Sequence, residues 1–302
     1  MSSLLVTGSI GIDTVRTPFG VSEECIGGSA VYFSMSASYF NAVRFLGVVG
    51  DDCPFDLTET FQGKDVDFEG LEVRKGSKTF RWQGSYEGAM NEAKTEGVDL
   101  NVLAEDPPVV PDAYKDSEYV FLANTAPALQ MHILKQIDSP TLVAADTMNL
   151  WIDTAKDDLI QLLERIDMLV LNDGEAQLLT GQQNIIRAAQ DILSMGPRIV
   201  VIKRGEFGSM MYDANGDCFI LPAFPTDKVI DPTGAGDSFA GAMMGSLAKA
   251  GRVDFVTLRE AIVCGTVAAS YTIGDFSIHG INSTDMKKID DRREMLKKVT
   301  QF

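Results

Sequence analysis

Short apolar runs, each closed by Gly, Asp or Asn, recur along the chain: LLVTGSI (4–10), AVRFLGVVG (42–50), YVFLA (119–123), TLVAAD (141–146), DMLVLND (167–173) and RIVVIKRG (198–205). Runs without polar alternation fit strands covered on both faces, as in a parallel sheet. Between them the apolar positions fall at helical spacing, in 28–40, 126–137, 154–166, 175–181 and 184–196. Strand alternating with helix predicts an α/β fold with a doubly wound, mostly parallel sheet and helices on both faces. No internal repeat or low-complexity segment interrupts it, so one domain over 1–302 is expected.

Two stretches break the rhythm. Residues 13–26 (DTVRTPFGVSEECI) and about 71–98 (LEVRKGSKTFRWQGSYEGAMNEAKTEGV) alternate polar and apolar positions between Gly turns. That pattern predicts antiparallel strands with one wet face, outside the main sheet, forming a small lid. Phe80, Trp82 and Tyr86 stand at even spacing, which on a strand gives them one face. That face covers a substrate, packs against a second subunit's lid, or does both. A monomer exposing it would present an apolar patch.

Composition narrows the class. A hydrophobic content of 45% supplies a full core, while 43 acidic against 26 basic residues leave a net charge of −17. Such a surface repels phosphate backbones and anionic membranes, so neither nucleic acid nor membrane is an expected partner. Cys25, Cys53, Cys218 and Cys264 are scattered without a CxxC pair, which fits reduced thiols and a cytoplasmic setting. The N-terminal MSSLLVTGSIGID lacks a basic leader region and resembles a first strand more than a signal peptide. With only His132 and His279, acid–base chemistry falls to carboxylates or lysines.

The candidate chemistry lies in VIDPTGAGDSFAGAMMGSLAKAG, residues 229–251. A strand is expected to end before it and a small-residue helix to begin within it. The free N–H groups of a first helical turn, with the macrodipole behind them, attract an anion. Gly234, Ala235 and Gly236 let that backbone approach a phosphate closely. Asp237 would repel the ligand the turn attracts, unless it accepts the proton of a hydroxyl to which the phosphoryl group moves. The alternative is that Asp237 only complements the helix end, worth about 0.3–1 kcal/mol.

The run from Asp231 to Asp237, followed by Ala240, Gly241 and Ala242, resembles the C-terminal motif of the ribokinase-like, or PfkB, family of carbohydrate and nucleoside kinases. The resemblance implies a ribokinase-like fold and an ATP-dependent phosphotransferase. In it Asp237 is the catalytic base, the backbone of 234–236 is an anion hole, and Asp231 and Thr233 stand beside a monovalent cation such as K+. It continues in order along the chain. Asp13 in GSIGID matches an acid that binds substrate hydroxyls, and Gly27 and Gly28 of GGSAVYFSMSAS match a Gly–Gly motif lying against the substrate. A helix entry with Ser29 as cap is the plainer account of that pair. Gly50 and Asp52 of LGVVGDD mark the fold. Asn172 and Glu175 match an Asn-x-x-Glu motif linked to Mg2+ and phosphate, and they also suit a helix N-terminus. Lys203, Gly205 and Gly208 correspond to the segment turning under the nucleotide, and 261–274 to a helix walling its base.

One departure bears on the acceptor. Many sugar kinases of the family carry Asn four residues after the second glycine, where this chain has Tyr32. Tyr keeps a hydroxyl and adds a ring, which makes the pocket smaller, stacks a ring, or simply faces the core. A sugar or polyol, phosphorylated on a primary hydroxyl, is the first expectation for the acceptor; a nucleoside stays open, as does an idle nucleotide-binding protein. No GxxxxGK[ST] is present, and GSIGID lacks the GxGxxG spacing, which removes the P-loop and dinucleotide-site alternatives.

Overall fold

Nine strands form one sheet and four form another in the computed structural model, which describes residues 2–301. The strands are β1 (Leu4–Thr7), β2 (Gly11–Thr17), β3 (Gly20–Gly27), β4 (Val43–Gly50), β5 (Val66–Arg74), β6 (Phe80–Ser85), β7 (Lys94–Asp99), β8 (Tyr119–Leu122), β9 (Leu142–Asp146), β10 (Met168–Asn172), β11 (Ile199–Lys203), β12 (Ser209–Asp213) and β13 (Cys218–Leu221). The large sheet runs β13-β12-β11-β10-β9-β8-β1-β4-β5. All its neighbours are parallel except the β11–β12–β13 meander. Its central strands are buried along their length, the burial their unalternating apolar runs require. Two apolar cores lie on the two faces of this sheet, Val6, Phe121 and Val170 pointing into one, Leu5, Val120 and Leu171 into the other. The doubly wound, mostly parallel α/β architecture expected from the strand–helix rhythm is the one observed.

The small sheet, β3-β2-β6-β7, is the lid. Of the stretch 71–98, residues 71–74 belong to β5, which pairs in parallel with β4 at the edge of the main sheet. An edge strand has one covered and one wet face, so its alternation is the same as a lid strand's. Periodicity alone therefore could not assign it. Asp52 fixes the passage from body to lid: its carboxylate accepts the Thr79 N–H at 2.6 Å and lies 3.5 Å from Arg81 in β6. Strand β13 ends at Leu221, well before the glycine-rich turn, and an irregular segment through Pro222 and Pro225 carries the chain onward. The expected strand-to-helix junction is thus a loop-to-helix junction, because each proline removes a ladder donor.

Small residues decide the packing next to that turn. In the Ala235–Ala250 helix a Cβ on Gly241 would run into the Phe33 carbonyl, and one on Gly245 would lie 2.8 Å from the Ala37 carbonyl. Their absence lets the fully buried Ser29–Ala37 helix press close, with the Ser36 hydroxyl donating to the Ser238 carbonyl at 2.6 Å. Among the described residues no helix is long and apolar enough to cross a membrane.

Candidate active site

The carboxyl ends of the parallel strands bring the chemistry to one edge, where open α/β sheets bind ligands. Asp146 ends β9, Asn172 ends β10, and Lys203 ends β11 in register with Asn172. The Ala235–Ala250 helix opens toward the same edge. Gly234, its N-cap, sits in the left-handed region at φ 71°. The Ala235 N–H turns back to the Pro232 carbonyl (3.1 Å) and the Ser238 N–H to the Gly234 carbonyl (2.8 Å). The amides of Gly234, Gly236 and Asp237 meet no backbone carbonyl among the described residues. The donors without a partner therefore belong to 234 and 236; the Asp237 amide lies against its own carboxylate, and the Ala235 amide is spent inside the turn. A Cβ on Gly236 would stand 2.8 Å from Lys203 Nζ, so glycine there admits an ammonium directly above the helix mouth.

Three carboxylates share this edge. Burial pushes Asp237 up from the ordinary aspartate range, and the nearby Lys203 charge pulls it back. Asp146, not anticipated from the sequence, is driven well above that range by burial and by the Asp237 charge, with Lys203 opposing. Its Oδ1 is buried without a hydrogen-bond partner among the described residues. The signal was present in TLVAAD, an apolar run ending on an acid at the edge of the sheet that binds ligands. Glu175 is buried, and burial raises it against the pull of Lys203. With Asn172 it forms a full capping box: Asn172 Oδ1 accepts the Glu175 N–H and Glu175 Oε2 accepts the Asn172 N–H, both at 2.7 Å. The capping bond uses only one of the two Glu175 carboxylate oxygens.

A second cluster lies beneath the lid. Asp13 is buried, and burial followed by the charges of Asp231 and Asp237 raises its carboxyl to about 8. A Cβ on Gly27 would collide with that carboxylate, and Gly28, at φ 100°, faces the Ser9 carbonyl too closely for any side chain. Ser29 does not cap its helix. The Ser29 N–H donates to Ser9 Oγ (3.0 Å) while the Ser9 N–H donates to Ser29 Oγ (3.1 Å), tying the turn after β1 to the helix start. Asp231 Oδ1 accepts the Thr233 N–H at 2.9 Å and Oδ2 the Ser277 N–H at 3.3 Å. Tyr86 reaches across from the lid, its hydroxyl 3.3 Å from Thr233 Oγ1.

Tyr32 is only 1% exposed, and its ring lies directly under Gly234, where a Cβ would strike it. The ring is the floor of the anion-attracting turn, so it is not free to stack on a ligand. The hydroxyl end faces the acids Asp231 and Asp13, whose charges add to burial in raising the phenol. Trp82 of the lid and Val229 and Phe276 of the body pack on the cluster of Val15, Tyr86 and Met90, and across the small sheet Phe80 pairs with Gly11 and Trp82 with Asp13. Gly205 (φ 51°) and Gly208 (φ 87°) shape the turn between β11 and β12, and a Cβ on Gly205 would meet Asn91 of the lid. The sequence-selected residues therefore fall into two adjoining groups. Asp237, Gly236, Lys203, Asn172 and Glu175 flank the helix mouth, while Asp13, Gly27, Gly28, Asp231 and Thr233 lie under the lid, with Tyr32 between.

A family model described as pfkB family carbohydrate kinase matches residues 26–283. The cytidine kinase of Thermococcus kodakarensis is 28% identical over 288 residues, 92% of this chain and 99% of that protein. The aminoimidazole riboside kinase of Salmonella typhimurium is 24% identical, over 89% of this chain and 90% of its own. Among solved structures, the nucleoside kinase of Methanocaldococcus jannaschii superimposes with a TM-score of 0.76 at 19% identity, covering 98% of this chain and 99% of its own. A putative ribokinase II from E. coli, in complex with ATP and Mg2+, gives 0.78 at 18%, over 98% and 100%. At these identities the structures speak for the fold.

Proposed function

The chain belongs to the pfkB family of carbohydrate kinases, phosphotransferases that act on hydroxyl groups, and on that premise we propose that it transfers the γ-phosphoryl group of ATP to a primary hydroxyl of a sugar-bearing acceptor, with Asp237 as base. The observation that carries this reading is the helix mouth itself: open amides at Gly234 and Gly236, an ammonium above Gly236, and a carboxylate in the same turn. Asp237 accepts the acceptor hydroxyl's proton, and its burial-raised affinity for a proton suits that task. The open amides and Lys203 then face the charge on the transferring group. Asp13, with Oδ1 unpartnered, takes acceptor hydroxyls, and Gly27 keeps its side space clear for that carboxylate.

Mg2+ would be held through water by Glu175 Oε1 and Asp146, hard oxygen donors that suit it, and would supply neutralising charge to the phosphates. The buried, unpartnered Asp146 Oδ1 fits such a donor. Asp231 and Thr233 would border a monovalent cation. A nucleoside is the acceptor favoured over a free sugar or polyol, because the cytidine kinase relative aligns along almost the whole chain and Trp82 lies beside Asp13 on the lid. The lid's exposed Phe19 and Val21 would pair with a second copy. In the decisive test, Asp237→Asn is expected to lose several orders of magnitude in ATP-dependent ADP release, assayed with cytidine, inosine, ribose and polyols, while retaining ATP affinity by calorimetry. Turnover matching the wild type would end the assignment.

A further inference from the structure

The residues that follow the Phe255–Thr272 helix, 273–277, touch three parts of the molecule that lie far apart in sequence. The Ile273 carbonyl accepts the Ile230 and Asp231 N–H groups at 2.7 and 3.3 Å, which anchors the chain just before the glycine-rich turn. Phe276 packs on the lid cluster of Val15, Tyr86 and Met90, and a Cβ on Gly20 would lie 3.6 Å from its ring. Ser277 then binds in two directions. Its hydroxyl donates to the Ile26 carbonyl in β3 at 2.5 Å, one residue before Gly27, and its N–H donates to Asp231 Oδ2.

Ser277 holds this place against its own backbone preference. It is 1% exposed and sits in the left-handed region at φ 53°, which a residue with a side chain adopts only where its surroundings impose it. Glycine would take the same backbone without strain, so the turn alone does not call for serine. The bond to Ile26 does. Asp231 has each carboxylate oxygen held by one donor, the Thr233 N–H on Oδ1 and the Ser277 N–H on Oδ2, which fixes its plane. Strand β3 lies at the edge of the small sheet, with β2 on its paired side. Ser277 thus ties an edge strand of the lid to the loop that leads into the helix mouth. Resting on the kinase reading above, we propose that Ser277 is a positioning residue that fastens the Gly27 end of β3 to Asp231 and thereby sets the separation between Asp13 and the helix mouth, where the acceptor lies. Lys203 and the open amides make no contact with this tie, so its loss falls on the acceptor rather than on ATP.

Two variants separate this role from stability alone. Ser277→Ala keeps the strained backbone and loses the hydroxyl, whereas Ser277→Gly loses the hydroxyl and relieves the strain. In the full chain without ligand, hydrogen–deuterium exchange at the β2–β3 ladder is expected to quicken at least tenfold in both, while β8, β9 and β10 stay within twofold of wild type. With whichever of cytidine, inosine, ribose or a polyol the wild type phosphorylates, the acceptor KM is expected to rise at least tenfold and the ATP KM to stay within twofold. Exchange at β2–β3 within twofold of wild type in both variants, exchange quickened equally across the main sheet, or equal rises in the two KM values overturns the proposal and leaves the kinase reading standing. A wild type that phosphorylates none of these acceptors counts against the kinase reading, and the exchange measurement then decides the role of Ser277 by itself.

Discussion

At the scale of single residues, the site is built on side chains that other residues leave room for. Gly27 exists beside Asp13 because any Cβ would occupy the carboxylate's position, and Gly234 sits on the Tyr32 ring for the same reason. Asp13 carries a consequence for stability. Its folded carboxyl is raised from 3.8 to about 8, so the native state holds the proton longer than the unfolded chain does. The stability it permits is full below about pH 4, is lost progressively as pH rises toward 8, and then levels off. Asp13→Asn is accordingly expected to denature at the same temperature as wild type near pH 4 and several degrees higher near pH 8, while losing acceptor binding. A temperature difference independent of pH would show that burial does not hold this proton. Gly27, Gly28 and Asp13 were legible as candidates, yet their mutual dependence was not, because Gly27 and Asp13 meet in three dimensions across β2 and β3.

At the scale of elements, strand ends and helix starts carry double duty. Asn172 and Glu175 satisfy two helix donors, and the capping box leaves one Glu175 oxygen for other work. The two duties separate by mutation. Asn172→Ala removes a cap and is expected to cost about 0.5–2 kcal/mol of stability. Glu175→Gln preserves the box, since glutamine accepts the same N–H, and so should melt like wild type yet lose at least tenfold in kcat. Equal turnover in Glu175→Gln and wild type would reduce the motif to a cap. The strands of the main sheet were readable from their apolar runs. Strand β5 was not separable from the lid, because an edge strand and a lid strand each alternate wet and dry positions.

At the scale of the molecule, lid and body close on one another. Tyr86 meets Thr233, and Asn91 donates to Glu206 at 3.1 Å, so the lid spans from the 231–237 turn to the β11–β12 turn. Trp82 and Tyr86 pack inward, which leaves Phe19 (61% exposed), Val21 (54%) and Val98 (46%) as exposed apolar residues of the lid. If these pair with a second copy, the double variant Phe19→Asp, Val21→Asp should sediment as a monomer while the wild type sediments as a dimer. A monomeric wild type would remove the lid from any role in assembly.

The sequence by itself determined the strand–helix order from its period, marked the 231–237 turn by its glycines and acids, and, through the resemblance those residues carry, nominated Asp13, Asn172, Glu175, Lys203 and Asp237 as candidates. What only the tertiary structure decided depends on residues far apart in the chain. Tyr32 became the floor of the anion-attracting turn because the Ser29–Ala37 helix packs tightly on Gly241 and Gly245; Asp146 joined the site because parallel strands end at one edge; and Arg292 of the last helix stacks on Tyr271 and Phe224, far earlier in the chain. Local propensity fixes elements, but packing brings together groups whose spacing in sequence carries no trace of their distance in space.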